Sequence, residues 1–183
     1  MTACFMGLGY IGLPTAVVAA RNGIQVHGCD IHPDIVEKTM RGELHFEEPV
    51  LGDYLREAIA CGKLRAAVTP VVSDTYVIVV PTPFKENHEP DIKYVQSASL
   101  MVLPLLKKGD LFIIESTSPV GTTEFIAKMI FEKRPELKGQ IYILMSVSGR
   151  HLIPVGWKIW FLTILQMRCL GLTEDANIGI SRL

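Results

Sequence analysis

Short, unbroken apolar runs alternate with stretches of helical periodicity along most of the chain. Thr2 to Met6 opens as a mostly apolar strand, and runs of this kind suit strands buried on both faces of a parallel sheet. A helical pattern follows from Leu13 to Asn22, with Gly23 placed to stop it, and Gln25 to Cys29 forms the second strand. Pro33 to Arg41 predicts a helix with proline at its first position and Gly42 past its end. Pro49 to Ala60 predicts another, with Val50, Leu51, Tyr54, Leu55, Ala58 and Ile59 on one apolar face and Gly62 at the stop. Leu64 to Val68 is a short strand, and Tyr76 to Val80 is the most continuous apolar run, so it predicts a central strand. Asp91 is placed to cap a helix from Ile92 to Leu106. The strand Leu111 to Ile114, a helix from Thr123 to Lys133 and the strand Gln140 to Met145 complete the pattern. The order β-α-β-α-α-β-β-α-β-α-β predicts an α/β fold, a doubly wound, mostly parallel Rossmann-type sheet. One domain is expected over residues 1–145, with an irregular tail over 146–183.

The chemistry gathers where strands end. Gly7, Gly9 and Gly12 carry the G-x-G-x-x-G spacing between the first strand and its helix. Gly7 permits the tight turn, Gly9 lets a pyrophosphate approach the backbone, and Gly12 lets the helix pack closely on the strand. The helix N-terminus then offers free N–H groups to the phosphates. Asp30 closes the second strand about 20 residues further on, where a carboxylate meets the adenosine ribose hydroxyls. Its charge favours NAD over NADP, because it repels a 2′-phosphate. Replacing it by alanine is expected to weaken NAD binding far more than it changes folding. The central strand stops at Pro81-Thr82-Pro83-Phe84, and Leu111–Ile114 runs into Glu115-Ser116-Thr117-Ser118-Pro119-Val120-Gly121-Thr122-Thr123. Both loops fall at carboxyl ends, where ligands bind in open α/β sheets. Thr82 is the hydroxyl of the first loop. In the second, Ser116, Thr117 and Ser118 are placed to face a dinucleotide, while Thr122 or Thr123 is placed as a helix cap.

Composition narrows the picture. A net charge of −1 over 183 residues lacks the basic footprint of a nucleic-acid binder, and a 49% hydrophobic content supports a real core. Cys4, Cys29, Cys61 and Cys169 show no C-x-x-C pairing, so neither a zinc site nor a disulfide framework is expected, and cytoplasmic localisation is. Glu47-Glu48 suits acid in the first turn of a helix, and Glu86, His88 and Glu89 suit a solvated loop. Leu152 to Met167 is apolar but interrupted by Pro154, Gly156 and Lys158 and falls short of the roughly 20 residues of a span, so no membrane partner is expected.

Taken together, Gly7-Leu8-Gly9-Tyr10-Ile11-Gly12-Leu13-Pro14, Asp30, Val80-Pro81-Thr82-Pro83 and the Glu115-to-Thr123 stretch resemble the N-terminal domain of the UDP-glucose/GDP-mannose dehydrogenase family. Pro81-Thr82-Pro83-Phe84-Lys85 followed by His88-Glu89-Pro90-Asp91 resembles its UDP-N-acetyl-D-mannosamine branch. The resemblance covers about residues 3–143. It implies a cytoplasmic oxidoreductase of polysaccharide biosynthesis that uses NAD to oxidise C6 of a UDP-sugar to a carboxylate in two hydride transfers. It implies that Tyr10 and Ile11 lie under the pyrophosphate through their backbone, and that Thr82 and Thr117 contact the dinucleotide. A homodimer is implied only for the full-length enzyme.

After Ile143 the resemblance stops. The family's Cys-Pro-Glu-Arg is absent, and its catalytic lysine and cysteine have no counterpart, so no catalytic residue is assigned and little turnover is expected. A frame shift accounts for the tail: codons permitted for Val147-Ser148-Gly149, read from the last base of the valine codon, can spell Glu-Arg, and those for Gly156 to Phe161 can spell Met-Glu-Asn-Leu-Val. The other account is a genuine apolar helix at Trp157 to Leu165. Two rival functions share the early glycines: a dehydrogenase of the hydroxyacid or 6-phosphogluconate type, and a non-catalytic dinucleotide-binding module.

Overall fold

The computed structural model describes residues 1–84 and 90–145, so the expectations for the Lys85–Glu89 loop and for the tail after Met145 lie outside the described residues. Six strands form one sheet: β1 (Thr2–Met6), β2 (Gln25–Cys29), β3 (Leu64–Ala67), β4 (Thr75–Ile78), β5 (Leu111–Ile114) and β6 (Tyr142–Met145). Their order is β3-β2-β1-β4-β5-β6, and every neighbouring pair is parallel. The expected doubly wound sheet is therefore present, and it is wholly rather than mostly parallel. All described strands thus end on one edge, and the chain order reverses direction between β1 and β4, the crevice where such folds bind ligands.

Among the described residues five α-helices connect the strands: α1 (Gly12–Arg21), α2 (Pro33–Met40), α3 (Leu51–Ala60), α4 (Lys93–Val102) and α5 (Thr122–Lys133). Alternation along the strands splits the core into two layers. Ala3, Phe5, Val77, Leu111 and Ile113 pack in one layer with Leu13, Ala16 and Val17 of α1 and Leu55 of α3. Cys4, Met6, Tyr76, Ile78, Phe112 and Ile114 pack in the other with Val95 and Ala98 of α4 and Ile126 and Ile130 of α5. Cys4 and Cys29 sit buried in strands, as their apolar neighbours predict, and burial pushes their thiols up to about 11 and about 12.

Most element ends fall within two residues of the pattern, and three differences have local reasons. The helix expected to reach Leu106 leaves α geometry at Val102 and continues as a 3₁₀ turn, Leu103–Leu105, because Pro104 has no N–H for the ladder. The helix expected from Pro49 starts at Leu51, so Glu47 and Glu48 precede it, and the acid of its first turn is Asp53. Neither Thr122 nor Thr123 caps α5: its cap is Gly121 in a left-handed conformation (φ 90°), and the Thr122 hydroxyl donates instead to the Pro119 carbonyl at 2.8 Å.

One polar group is built deep into the core. Tyr76 is fully buried; its hydroxyl accepts from the Ser73 N–H at 3.0 Å and donates to the Leu105 carbonyl at 3.2 Å, tying the approach to β4 to the end of α4. Burial pushes its phenol up to about 12. Tyr76→Phe leaves both backbone partners unpaired and should cost about 1–3 kcal/mol in urea unfolding, with no change in the slope of the transition. A loss below about 0.5 kcal/mol would show that water reaches both groups.

Candidate dinucleotide-binding site

The strand ends are in register. Met6 is level with Cys29 and with Ile78, and Ile78 is level with Ile114. Each ladder runs one residue further: Gly7 N–H donates to the Cys29 carbonyl (2.7 Å), Val79 N–H to Met6 (2.8 Å), Glu115 N–H to Ile78 (2.8 Å) and Asp30 N–H to Ala67 (3.2 Å). Asp30, Gly7, Val79 and Glu115 therefore form one row across the carboxyl edge, in that spatial order. Val79 belongs to the core layer of α1, and alternation turns Asp30 and Glu115 to the same side.

The glycine turn in this row is held by backbone contacts. Gly7 has φ 103°, and a Cβ there would stand 2.1 Å from the Val79 carbonyl oxygen. A Cβ on Gly12, the first residue of α1, would stand 2.0 Å from the Gly7 carbonyl oxygen and 3.3 Å from the Val79 Cβ. Gly9 has nothing within 4 Å of such a position, so its backbone faces open space. Gly7 and Gly12 thus sit where only a missing Cβ allows the turn and the close seating of α1, and the open space at Gly9 is a cradle that a side chain would fill. Tyr10, beside it, is 76% exposed. Ile11 precedes α1, and its carbonyl accepts from the Thr15 hydroxyl at 2.9 Å.

Asp30 does more than the sequence suggests. Its Oδ2 accepts from the Leu8 N–H at 2.9 Å and its Oδ1 from the His32 N–H at 3.0 Å, so one carboxylate ties the end of β2 to the glycine turn. Leu8 is fully buried, and its side chain lies over Gly28 of β2, where a Cβ would meet it at 2.7 Å. Leu8 and Gly28 are parts of this turn that the spacing of glycines did not reveal. Asp30→Ala would strip two N–H groups of their acceptor, at about 1–3 kcal/mol for a buried group. A cost to folding thus accompanies the loss of NAD binding expected of this change.

Thr82 and Thr117 come together from neighbouring strand ends. The Thr82 hydroxyl donates to the Thr117 carbonyl at 3.1 Å and lies 3.0 Å from the Thr117 hydroxyl. Ser116 and Ser118 pair with each other at 2.6 Å, and Ser116 is buried, so those two hydroxyls brace the loop. Glu115 received no role from the sequence. Its Oε2 is buried and has no hydrogen-bond partner among the described residues, and burial pushes its carboxyl up to about 7. The available signal was an acid placed directly after a buried strand. Among the described residues no group of side chains could hold a metal ion, and no helix is long and apolar enough to cross a membrane.

A parallel sheet with a tight glycine turn, a carboxylate one strand away and open backbone beside it defines an NAD-binding domain of the Rossmann class. Residues 1–148 match the model of the UDP-glucose/GDP-mannose dehydrogenase family, NAD binding domain, and the chain belongs to that family. The chain is 52% identical over 136 residues to a UDP-N-acetyl-D-mannosamine dehydrogenase of Escherichia coli K12, covering 74% of this chain and 32% of that one. It is 44% identical over 136 residues to an NDP-N-acetyl-D-galactosaminuronic acid dehydrogenase of Ralstonia nicotianae, covering the same shares. The structure of a UDP-N-acetyl-mannosamine dehydrogenase from Staphylococcus aureus superposes with a TM-score of 0.76 at 36% identity, over 79% of this chain and 36% of that one. The chain spans about a third of the length of the curated relatives it matches.

Two outcomes follow from this geometry. Gly12→Ala should destabilise the protein by at least about 3 kcal/mol in urea unfolding, whereas Gly9→Ala should stay within about 1 kcal/mol of the parent. Equal losses would mean that the turn is not packed as described. Glu115 keeps its proton to about pH 7 in the folded chain and loses it near the ordinary 4.5 when unfolded. Between those values the native state binds more protons, so stability falls as pH rises and the penalty is complete above about 7. Glu115→Gln removes that fall, and its stability relative to the parent should rise by up to about 3 kcal/mol between pH 4.5 and 8. A flat difference across that range would show the carboxyl to be solvated.

Proposed function

We propose that this chain supplies the NAD-holding part of a UDP-sugar 6-dehydrogenase of the UDP-N-acetyl-D-mannosamine type, which oxidises the C6 hydroxyl to a carboxylate. The observation that carries the proposal is the Asp30 carboxylate held 2.9 Å from the N–H of Leu8, which sets a ribose acceptor beside an unobstructed glycine turn. Gly7 and Gly12 shape that turn, and the backbone at Gly9, Tyr10 and Ile11 faces the pyrophosphate from the N-terminus of α1. Asp30 takes the adenosine ribose hydroxyls, each carboxylate oxygen having lone pairs beyond the one its backbone donor uses. The paired hydroxyls of Thr82 and Thr117 meet the dinucleotide from the ends of β4 and β5. NAD, when bound, accepts the hydride; the chain's own part is to hold and orient it. The UDP-sugar as substrate and a homodimeric assembly are proposed for the intact enzyme, and a cytoplasmic setting goes with them.

A narrower reading, binding without turnover, is favoured for this chain alone by the three cysteines among the described residues. Covalent capture of an aldehyde needs an accessible thiolate. Cys4 and Cys29 are buried with thiols pushed up, and Cys61 follows α3 toward the amino edge of the sheet, away from the row of strand ends. The purified chain should therefore bind NAD yet sustain little or no NADH production from UDP-N-acetylmannosamine. Steady NADH production would overturn the narrower reading and leave the family activity standing.

Asp30→Asn is the sharper variant, because an amide oxygen retains one backbone donor while the charge is lost. NAD affinity by calorimetry should fall about tenfold or more, and the preference for NAD over NADP should shrink. Unchanged affinity with unchanged preference would remove Asp30 from the site.

A further inference from the structure

The row of strand ends has an acid on each side of the glycine turn, and the two are in opposite states. Asp30 lies one strand to one side and both of its oxygens already accept backbone N–H groups. Glu115 lies two strands to the other side, turned toward the same face, with a buried oxygen that has no partner among the described residues. Native chains rarely leave a buried acceptor unpaired, and of the buried side-chain polar atoms without a partner among the described residues, those of Thr39, His45, Thr75 and Glu115, the Glu115 oxygen is the one carried by a residue of this row.

We propose that Glu115 holds the nicotinamide end of the dinucleotide, its Oε2 accepting a hydrogen bond from the ring's carboxamide NH₂. The inference rests on the NAD site proposed above and adds a contact to it. Its warrant is position. With the adenosine ribose at Asp30 and the pyrophosphate at Gly9 to Ile11, the remaining half of the ligand must run away from β2, across β4 toward β5. Neighbouring strands stand about 4.8 Å apart, so Glu115 lies about 10 Å from the glycine turn. That is the reach of one ribose and one pyridine ring. The Thr82–Thr117 pair bridges the same two strand ends, with Thr117 two residues past the acid. The chemistry is complementary: the carboxamide is a neutral donor, and the oxidised ring bears a positive charge that a carboxylate favours. The high pKa agrees, since its cause is burial without a compensating donor.

ADP-ribose, which is NAD without the nicotinamide, separates this contact from the rest of the site. The full chain and its Glu115→Ala and Glu115→Gln variants are titrated with NAD and with ADP-ribose by calorimetry, and thermal melting of each confirms folding. ADP-ribose affinity should stay within about twofold in all three, while the ratio of NAD to ADP-ribose affinity should fall at least about fivefold in Glu115→Ala. Glu115→Gln keeps an oxygen acceptor and should recover part of that ratio. An unchanged ratio in both variants overturns the inference, including the case in which stability alone shifts because a donor from elsewhere in the chain meets Glu115. Losses of equal size for both ligands overturn it too. If Glu115→Ala does not fold, an unchanged NAD-to-ADP-ribose ratio in Glu115→Gln combined with an ordinary pH-stability profile overturns it, and a lowered ratio supports it. Failure of the parent chain to bind ADP-ribose at all is a different result: it removes the NAD site itself.

Discussion

The contact between the backbone of Gly7 and that of Gly12 fixes everything around it. Helix α1 can start where it does only because no Cβ intervenes at Gly12, and the turn can reverse there only because Gly7 adopts φ 103° beneath the Val79 carbonyl. Side chains could not make this approach, since each would displace backbone rather than another flexible group. Once α1 is seated, its N–H groups point along the carboxyl edge, and the parallel register brings Asp30, Val79 and Glu115 level with the turn. A one-residue slip in any pair would send the corresponding side chain to the opposite face. The apolar residues of both layers guard against that slip, because Cys4, Met6, Tyr76 and Ile78 would exchange places with Ala3, Phe5, Thr75 and Val77.

The two acids of the row show how similar side chains acquire different work from burial and partners. Asp30 is 8% exposed but keeps both oxygens paired to N–H groups. Glu115 has burial without compensation, and it sits near the balance between charged and neutral forms at pH 7. A group in that condition responds to whatever is placed against it, which is a property of binding sites more often than of structural frameworks.

Most of the fold was legible because its signals are local. Buried parallel strands announce themselves as apolar runs, and Gly23, Gly42 and Gly62, all with positive φ, stop helices where the pattern changes. The element order was therefore readable, as were the glycine turn and the acid at the end of β2. What stayed hidden depends on neighbours far apart in sequence. That Leu8 offers its N–H to Asp30, that Gly28 makes room for the Leu8 side chain, and that Thr82 meets Thr117 all require strands to be aligned first. Glu115 was hidden for the same reason: its position is printed in the sequence, but the burial that changes its chemistry is a tertiary property. Thr122 misled because a threonine at a helix start usually caps it, whereas here a left-handed Gly121 already turns the chain.

The opposite edge of the sheet explains why the carboxyl edge can keep unpaired groups without loosening. There the polar groups are spent on the framework. The Thr2 N–H and hydroxyl both bond to Asp74, at 2.8 and 3.1 Å, and the N–H bond holds that carboxyl below its usual range. Lys107 donates to Asp110 at 2.7 Å and to the Ser73 carbonyl at 2.9 Å, linking the entry of β5 to the entry of β4. Arg134 reaches back from the end of α5 to the carbonyls of Leu103 and Leu106 at 2.9 and 3.2 Å, tying α5 to the turn that follows α4. Register is thus set at the amino end and by the core, and the strands carry it across to the row of Asp30, Gly7, Val79 and Glu115. A strand of four or five residues is short enough that little alignment is lost on the way. The bonds that position the strands thus lie mostly at the amino edge, while the unpaired Glu115 oxygen lies past the other end of β5.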